Sequence, residues 1–309
     1  MLSDEIRNLA CKEGIDAVGV VPADPFEGYL VPNSPRRDPR LSMPTANSIV
    51  VVGVYIGGFY LPNWDDPAVG RVSRLVLSGF YSDVVAPLRS ISSFLRDRGF
   101  QALVCDGFES GGSMLPLKLA AVRAGVGWQG KNSLVISRRF GSLLALGGIV
   151  TDAILEFDGG GVGDHCGKCH ACQDACPTSA LDEPYRLKRE RCLSHLLEGE
   201  SLSDEVRRLM GNRILECDIC QTVCPWNRKH LERPLATDRG RAFQENAGKL
   251  SELLRLSNLI KLSEAEYDDL FGPFRTGVPY QVFRRNVVAA LENYRRGDWS
   301  PGLRDICAT

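Results

Sequence analysis

The chain has 309 residues, 44% of them hydrophobic and 24% charged, which is the composition of a globular protein large enough for two or three domains. Its 37 basic and 38 acidic side chains give a net charge of −1, without the basic excess usual in proteins that bind nucleic acid mainly through phosphates. Its most apolar stretch, residues 48–56, has the length of a strand, so the sequence predicts no membrane span.

Helix and strand signals alternate through the first half of the chain. The predicted helices are 3–12 with Ser3 as N-cap, 84–97, and 116–124 with Gly125 as C-cap. The predicted strands are 16–22, 48–56, 100–104, 133–136 and 143–150, and the Pro- and Arg-rich residues 23–47 are predicted to form a loop. This alternation predicts an α/β layer domain over residues 1–157.

A glycine-rich segment, residues 158–163, follows this domain. We interpret it as a flexible linker rather than a phosphate-binding loop, because no predicted helix begins directly after it. The linker opens a second predicted domain, residues 158–232, which contains most of the cysteines. Residues 233–309 form a predicted helical C-terminal segment, with helices at 251–256, 263–270 and 280–295.

Eight of the eleven cysteines lie between residues 166 and 224. Cys166 opens a C-x2-C-x2-C-x3-C-P run, and Cys217 opens a C-x2-C-x3-C-P run, with Cys192 between the two. This spacing is typical of paired [4Fe–4S] clusters, in which the cysteine before proline ligates the other cluster. Zinc is the alternative for C-x2-C pairs, but two such runs exceed a four-ligand zinc site. The polar, acidic N-terminus predicts a cytoplasmic protein with reduced thiols, which disfavours a disulfide scaffold.

The crossover rule predicts the ligands of each cluster. The first cluster takes Cys166, Cys169, Cys172 and Cys224, and the second takes Cys176, Cys192, Cys217 and Cys220. Cys192 enters the second set from a distance, because Ile214 occupies the position where the first cysteine of a second triplet is expected.

A second motif accompanies the cysteines. The segment from Arg123 to Ile136 contains Gly-Val-Gly-Trp-Gln-Gly-Lys-Asn-Ser, and it resembles the G-L-G-W-x-G-K-N-[ST] segment of the cobalamin-dependent epoxyqueuosine reductases, relatives of the reductive dehalogenases. Residues 191–194, 217–227 and 271–286 also resemble that family. The resemblance implies an N-terminal α/β, nitroreductase-like cobalamin domain, a ferredoxin-like double-cluster domain and a short helical C-terminus. Its cofactors would be two [4Fe–4S] clusters and cobalamin.

The resemblance also implies which residues lie near the corrin or its tail. They are Gly127, Trp128, Gly130, Lys131, Asn132 and Ser133. Glycines allow a close backbone approach to a flat macrocycle, and Lys and Asn side chains can hydrogen-bond its amides and phosphate. The alternative for this segment is a tight turn with no ligand.

The chain departs from the family where the proton donor is expected. The family carries an aspartate in an Asp-x-x-Pro-x-x-Glu-Arg pattern, and alignment puts Gly111 or Ser113 at that position. Glu109, Lys118 or Tyr81 is then the candidate donor. The sequence also ends soon after Trp299, where those enzymes continue into helical repeats that help hold tRNA. These departures predict a paralogue and leave tRNA doubtful as its substrate.

The predicted function is a cytoplasmic reductase that passes electrons from two clusters to cobalamin and removes an oxygen or another leaving group from a small molecule or modified nucleoside. The electrons would come from a low-potential donor, a ferredoxin or flavodoxin. Two alternatives remain open, namely a ferredoxin-like electron carrier that serves a partner enzyme and a corrinoid reductive activator.

Overall fold

The computed structural model describes residues 1–29, 34–105, 115–231, 238–272 and 277–298. The chain divides into two compact units. The first unit comprises Met1–Tyr55, Phe80–Gly130 and Leu134–Gly167, and the second comprises Ile56–Gly79, Lys131–Ser133 and Lys168–Thr309. Two segments of the first half, Ile56–Gly79 and Lys131–Ser133, therefore pack with the cysteine-rich part of the chain.

The described residues contain short strands and helices of very different lengths. The strands are β1 (Ala17–Pro22), β2 (Ser48–Tyr55), β3 (Arg71–Val72), β4 (Ala102–Cys105), β5 (Trp128–Gln129), β6 (Val135–Ile136), β7 (Leu144–Thr151) and β8 (Arg213–Leu215). The helices are α1 (Leu2–Lys12), α2 (Arg74–Leu77), α3 (Phe80–Arg96), α4 (Leu117–Arg123), α5 (Ala171–Asp174), α6 (Leu193–Glu198), α7 (Asp204–Leu209), α8 (Ile219–Thr222), α9 (Asp238–Leu253), α10 (Leu256–Leu259), α11 (Glu264–Phe271) and α12 (Tyr280–Arg296).

An antiparallel sheet of order β1-β2-β7-β4 forms the centre of the first unit. The β-branched run of β2 is buried along almost its whole length, because helices cover both faces of the sheet. Gly147 and Gly148 of β7 allow this close packing. A Cβ on Gly147 would lie 2.6 Å from Val84 and Leu88 of α3, and one on Gly148 would lie 3.1 Å from Leu117 of α4.

Most element boundaries agree with the sequence-based prediction to within two residues, but the start of α1 does not support the predicted cap. The helix begins at Leu2, so Ser3 lies within its first turn and cannot be the N-cap. The Ser3 hydroxyl is buried and accepts a hydrogen bond from the Glu156 N–H at 2.8 Å. A further difference is that α9 begins at Asp238, well before the predicted helix at 251.

The second unit contains short helices, a parallel β3–β8 pair and the long helix α12. Asn286 of α12 is fully buried, and its amide donates to the carbonyls of Leu197 and Ile214 at 2.9 and 3.0 Å. A buried amide with two satisfied donors fixes the register of α12 against α6 and β8. In the described ranges, no helix is both long and apolar enough to cross a bilayer.

Candidate iron–sulfur site

Each cysteine run contributes one short helix to the second unit, and these two helices pack against each other. Cys172 lies on α5 and Cys220 on α8, and each helix has only four residues. After the second run, Cys224 is buried and the following Pro225 opens a 3₁₀ turn. The chain changes direction at this Cys-Pro pair, because proline has no N–H to donate to a carbonyl of the preceding helical turn.

Three further thiols surround Cys220 closely enough for their charges to act on it. They belong to Cys172, Cys192 and Cys217. Although Cys217 and Cys220 are partly accessible, desolvation by the surrounding chain raises the pKa of the Cys217 thiol to about 11 and raises that of Cys220 well above its usual value. Such a group of thiols can be deprotonated together only when a cationic centre compensates the thiolate charges.

Backbone N–H groups already point at two of the sulfurs. Ala180 donates to the Cys176 sulfur at 3.3 Å, and the N–H of Ile219 donates to the Cys217 sulfur, which lowers its pKa against the larger effect of desolvation. N–H···S bonds of this kind stabilise thiolates bound to iron–sulfur clusters. In the part of the chain that the structure describes, no group of three His, Cys, Asp or Glu side chains is close enough together to bind a single metal ion. A cubane does not require such a group, because each thiolate binds a separate iron.

The Lys131–Ser133 segment braces these cysteine loops. The Lys131 ammonium donates to the Cys169 carbonyl at 2.9 Å, and the Asn132 amide reaches the Cys220 carbonyl at 3.5 Å. Ser133 has a left-handed backbone (φ +64°), and its hydroxyl donates to the Tyr185 carbonyl at 3.2 Å. The Tyr185 N–H in turn donates a hydrogen bond to the Lys131 carbonyl. Lys131 and Asn132 therefore hold the cysteine loops, a role that sequence reasoning missed, while Ser133 contacts Tyr185; their contact with cobalamin stays a prediction.

The other predicted cobalamin residues belong to the first unit. Trp128 on β5 is buried, and its ring meets His165 edge-on at a centroid distance of 4.9 Å. Gly127 precedes β5 at a point where an added Cβ would lie 2.2 Å from the Ile136 carbonyl oxygen, so this glycine is required by the strand pair itself. The Gly130 N–H closes the intervening turn on the Leu134 carbonyl.

Of the three candidate proton donors, the structure describes the side chain of Lys118 alone. Glu109 lies outside the described residues, and so does the side chain of Tyr81 in α3. Lys118 is exposed on α4. The identity of the donor therefore stays a prediction.

Comparison with known proteins supports the resemblance found in the sequence. Residues 165–227 match the 4Fe-4S double cluster binding domain family. Epoxyqueuosine reductase of Synechocystis sp. is 32% identical over 267 residues, spanning 84% of this chain and 88% of that protein. The Bacillus subtilis enzyme is 30% identical over 99% of this chain and 82% of its own length. For the Escherichia coli enzyme the identity is 36%, over 74% of this chain but only 59% of that protein.

Solved structures give the same result. An epoxyqueuosine reductase in complex with a tRNA-Tyr stem loop that carries epoxyqueuosine superposes with a TM-score of 0.79 and 25% identity, covering 97% of this chain and 84% of that one. A catabolic reductive dehalogenase shares the fold, with a TM-score of 0.51 and 18% identity over 89% of this chain and 37% of that one. The tRNA in the first complex is at odds with the doubt that the sequence raised about a tRNA substrate.

These matches confirm the predicted fold class, the oxidoreductase class and the double [4Fe–4S] domain. They also confirm the family resemblance, from which cobalamin was predicted as a cofactor beside the two clusters. The chain belongs to the epoxyqueuosine reductase family.

Proposed function

We propose that this chain reduces an epoxyqueuosine-type nucleoside in tRNA, using two [4Fe–4S] clusters and cobalamin. The observation that carries the proposal is that Lys131 and Asn132, from the family's Gly-Trp-x-Gly-Lys-Asn segment, hydrogen-bond to the backbone of two cysteine loops. When bound, the clusters supply single electrons and the reduced corrinoid supplies the strongly reducing centre for carbon–oxygen cleavage. We further propose a cytoplasmic location and a ferredoxin or flavodoxin as the electron donor.

The residues proposed to hold these groups are the ones that the sequence predicts. The first cluster takes Cys166, Cys169, Cys172 and Cys224, the second takes Cys176, Cys192, Cys217 and Cys220, and the corrinoid contacts Gly127, Trp128, Gly130, Lys131, Asn132 and Ser133. The soft thiolate set suits iron, and the braced loops favour preorganised ligands.

The proton donor is proposed to be a carboxyl group in residues 106–114. A solved Bacillus subtilis relative is described with a catalytic loop that carries an aspartate. The corresponding stretch here follows β4 in sequence and contains two acids, Asp106 and Glu109. A carboxyl group positioned to protonate the leaving oxygen contributes to the rate without contributing to cofactor binding.

Turnover of an epoxyqueuosine-containing RNA stem loop tests this proposal. We expect either Asp106→Asn or Glu109→Gln to lower the rate by about 10²- to 10⁴-fold, with unchanged iron content and cobalamin binding. Asp97→Asn, which changes an exposed acid after α3, is the matched control and should keep full activity. Full turnover in both test variants would contradict a carboxyl donor in this segment and would direct attention to Lys118.

The nucleic-acid partner is proposed to bind at a basic groove of the second unit. The groove has a volume of about 530 Å³ and is lined by Arg207, Glu264, Tyr280, Gln281, Arg284, Arg285 and Val288. Arg285 is held by the carbonyls of Leu197 and Gly199. Burial, and secondly the charge of Arg207, lower the pKa of Arg285. An RNA phosphate would offset this repulsion between guanidinium groups.

Stem-loop binding, measured by fluorescence anisotropy against salt concentration, tests the groove. The double variant Arg207→Gln/Arg284→Gln should bind about tenfold more weakly, with a shallower salt dependence, since two phosphate contacts are lost. Arg295→Gln/Arg296→Gln, at the exposed end of α12, is the control of equal charge change. Equal weakening in both double variants would show a general charge effect and would contradict a specific groove.

A further inference from the structure

The glycine-rich segment that the sequence predicts to be a flexible linker is fixed to the first unit at its start. The Asp158 N–H donates to the Val20 carbonyl at 2.9 Å, and the Asp158 carboxylate accepts a hydrogen bond from the Val20 N–H at 2.7 Å. The same carboxylate pairs with Arg7 of α1 at 2.8 Å. Val20 belongs to β1, an edge strand, so Asp158 binds backbone groups on the open side of the sheet. Asp158 is therefore an anchor, and the prediction of a flexible linker is wrong at this residue.

The next residues pass closely over the C-terminal end of α4. A Cβ added to Gly125 would lie 3.3 Å from the Gly160 carbonyl oxygen, and one added to Gly161 would lie 4.0 Å from the Val122 carbonyl oxygen. Gly125 and Gly160 both have a left-handed backbone, with φ of +71° and +81°, which glycine adopts without strain. These glycines bring the segment against the chain that leads into the motif segment, residues 127–133, which contains the proposed corrinoid contacts.

The far end of the segment is held by His165, the residue before Cys166. The His165 ring meets Trp128 edge-on, with 4.9 Å between the ring centroids, and its Nε2 lies 2.6 Å from Nη2 of Arg138. A guanidinium group can only donate, so Nε2 accepts this hydrogen bond and the orientation of the ring is fixed. Residues 158–165, which we call the strap, are thus held on the first unit at their start, their middle and their end.

These contacts shorten the length of free chain before Cys166. A stretch of chain from Asp158 to Cys166 could reach about 28 Å if it were fully extended. For a flexible tether, the effective concentration of the attached group falls roughly as the −3/2 power of length, so doubling the free length lowers it about threefold. A strap released at Asp158 would therefore hold the Cys166 thiolate less closely beside Trp128 and the motif segment.

We propose that the strap holds Cys166 at a fixed place beside the motif segment, with Asp158 as its main anchor. The inference rests on the proposed function, in which Cys166 binds the first cluster and Trp128 contacts the corrinoid. One electron leaves the cluster and enters the corrinoid, and no bond forms or breaks. Because electron transfer slows steeply with distance, holding Cys166 beside Trp128 keeps this step fast. Asp158 is not among the residues proposed to bind either group, so it is a positioning residue.

Cleavage of the anaerobic holoenzyme by proteinase K tests whether Asp158 anchors the strap. Asp158→Ala removes both side-chain bonds, so cleavage between residues 157 and 165 should become at least about tenfold faster. Asp24→Ala is the matched control, because it removes an exposed carboxylate of the same unit that pairs with Arg40 at 2.8 Å, and it should leave the cleavage rate unchanged. An unchanged rate in Asp158→Ala would overturn the proposal.

A second measurement tests whether the anchor positions Cys166. Stopped-flow absorbance follows the reduction of bound cobalamin after the holoenzyme is mixed with reduced flavodoxin. The reduction should be at least about threefold slower in Asp158→Ala, with the iron content and the Kd for cobalamin unchanged. Faster cleavage without slower reduction would overturn the proposal, because the strap would then serve stability alone. Failure of the proposed function would look different, since bound cobalamin could then not be reduced in the unmodified chain either.

Two variants that lose only the ion pair protect the test against misfolding. Arg7→Gln removes the cation and Asp158→Asn removes the charge of the carboxylate, while both keep an acceptor for the Val20 N–H. Each should speed cleavage and slow cobalamin reduction by a smaller factor than Asp158→Ala, because a half-exposed ion pair contributes less than the full set of bonds. If Asp158→Ala does not accumulate as folded protein, unchanged rates in both variants would overturn the proposal.

Discussion

Replacing Cys220 with serine is expected to remove the second cluster and abolish turnover. Cys220 is the thiol on which the charges of Cys172, Cys192 and Cys217 all act, so it lies among the thiols of the second unit. Serine cannot supply the soft thiolate that iron requires at this position. We expect iron to fall from about eight to about four atoms per chain, with loss of one EPR signal and a fall in activity of at least about 100-fold.

The control for this variant is Cys11→Ser. Cys11 is exposed on α1 of the first unit, far in sequence from the cysteine runs, and its replacement should leave the iron content and activity unchanged. Chemical iron analysis of anaerobically purified protein gives the comparison directly. A Cys220→Ser protein that keeps about eight irons and full activity would show that the ligand assignment is wrong.

The second large effect concerns stability. Arg74→Met should destabilise the folded chain by about 3 to 5 kcal/mol, because it leaves the Asp218 carboxylate buried without its partner. Arg74 and Asp218 are 2% and 5% exposed, and their ion pair is 3.0 Å long. The Arg74 guanidinium also lies 4.8 Å from the centroid of the Trp64 ring. A variant at this site therefore loses both an ion pair and a cation–π contact.

Thermal unfolding of the anaerobic protein measures this effect. The double variant Arg74→Met/Asp218→Leu should recover much of the loss, because no uncompensated charge remains. Arg186→Met breaks a pair with Glu183 in which both side chains are more than half exposed, and it should cost about 1 kcal/mol or less. If Arg74→Met lowers the melting temperature no more than Arg186→Met does, the buried pair is not the stabilising contact described here.

The parts of this molecule that could be predicted from sequence are local. The β-branched run at β2 is enough to predict a buried strand, and the cysteine spacing predicts the ligand loops because neighbouring cysteines lie within one short stretch of chain. The capping box of α11, in which Ser263 and Glu266 exchange hydrogen bonds, is also local. For such elements, a few adjacent residues contain the whole physical cause.

What sequence could not reveal depends on contacts between distant segments. Ser3 has the residue type of an N-cap, yet a hydrogen bond from Glu156, 153 positions away, fixes it inside the helix. The pairing of Arg74 with Asp218 joins residues 144 positions apart. The sequence does not mark Arg74 and Asp218 as partners, because each is one charged residue among many.

The Lys131–Ser133 segment shows the same limit within the site. Its motif pointed to a ligand, and the resemblance pointed to cobalamin. The structure adds hydrogen bonds from Lys131 and Asn132 to the carbonyls of Cys169 and Cys220, so the segment also holds the cysteine loops. Polar residues in a motif do not reveal from sequence whether a cofactor or a backbone carbonyl accepts their hydrogen bonds.

The central claim is that this chain carries two cubanes, and iron and acid-labile sulfide counted per chain in anaerobically prepared protein test it most directly. The account predicts about eight of each. About four irons or fewer per folded chain would contradict it.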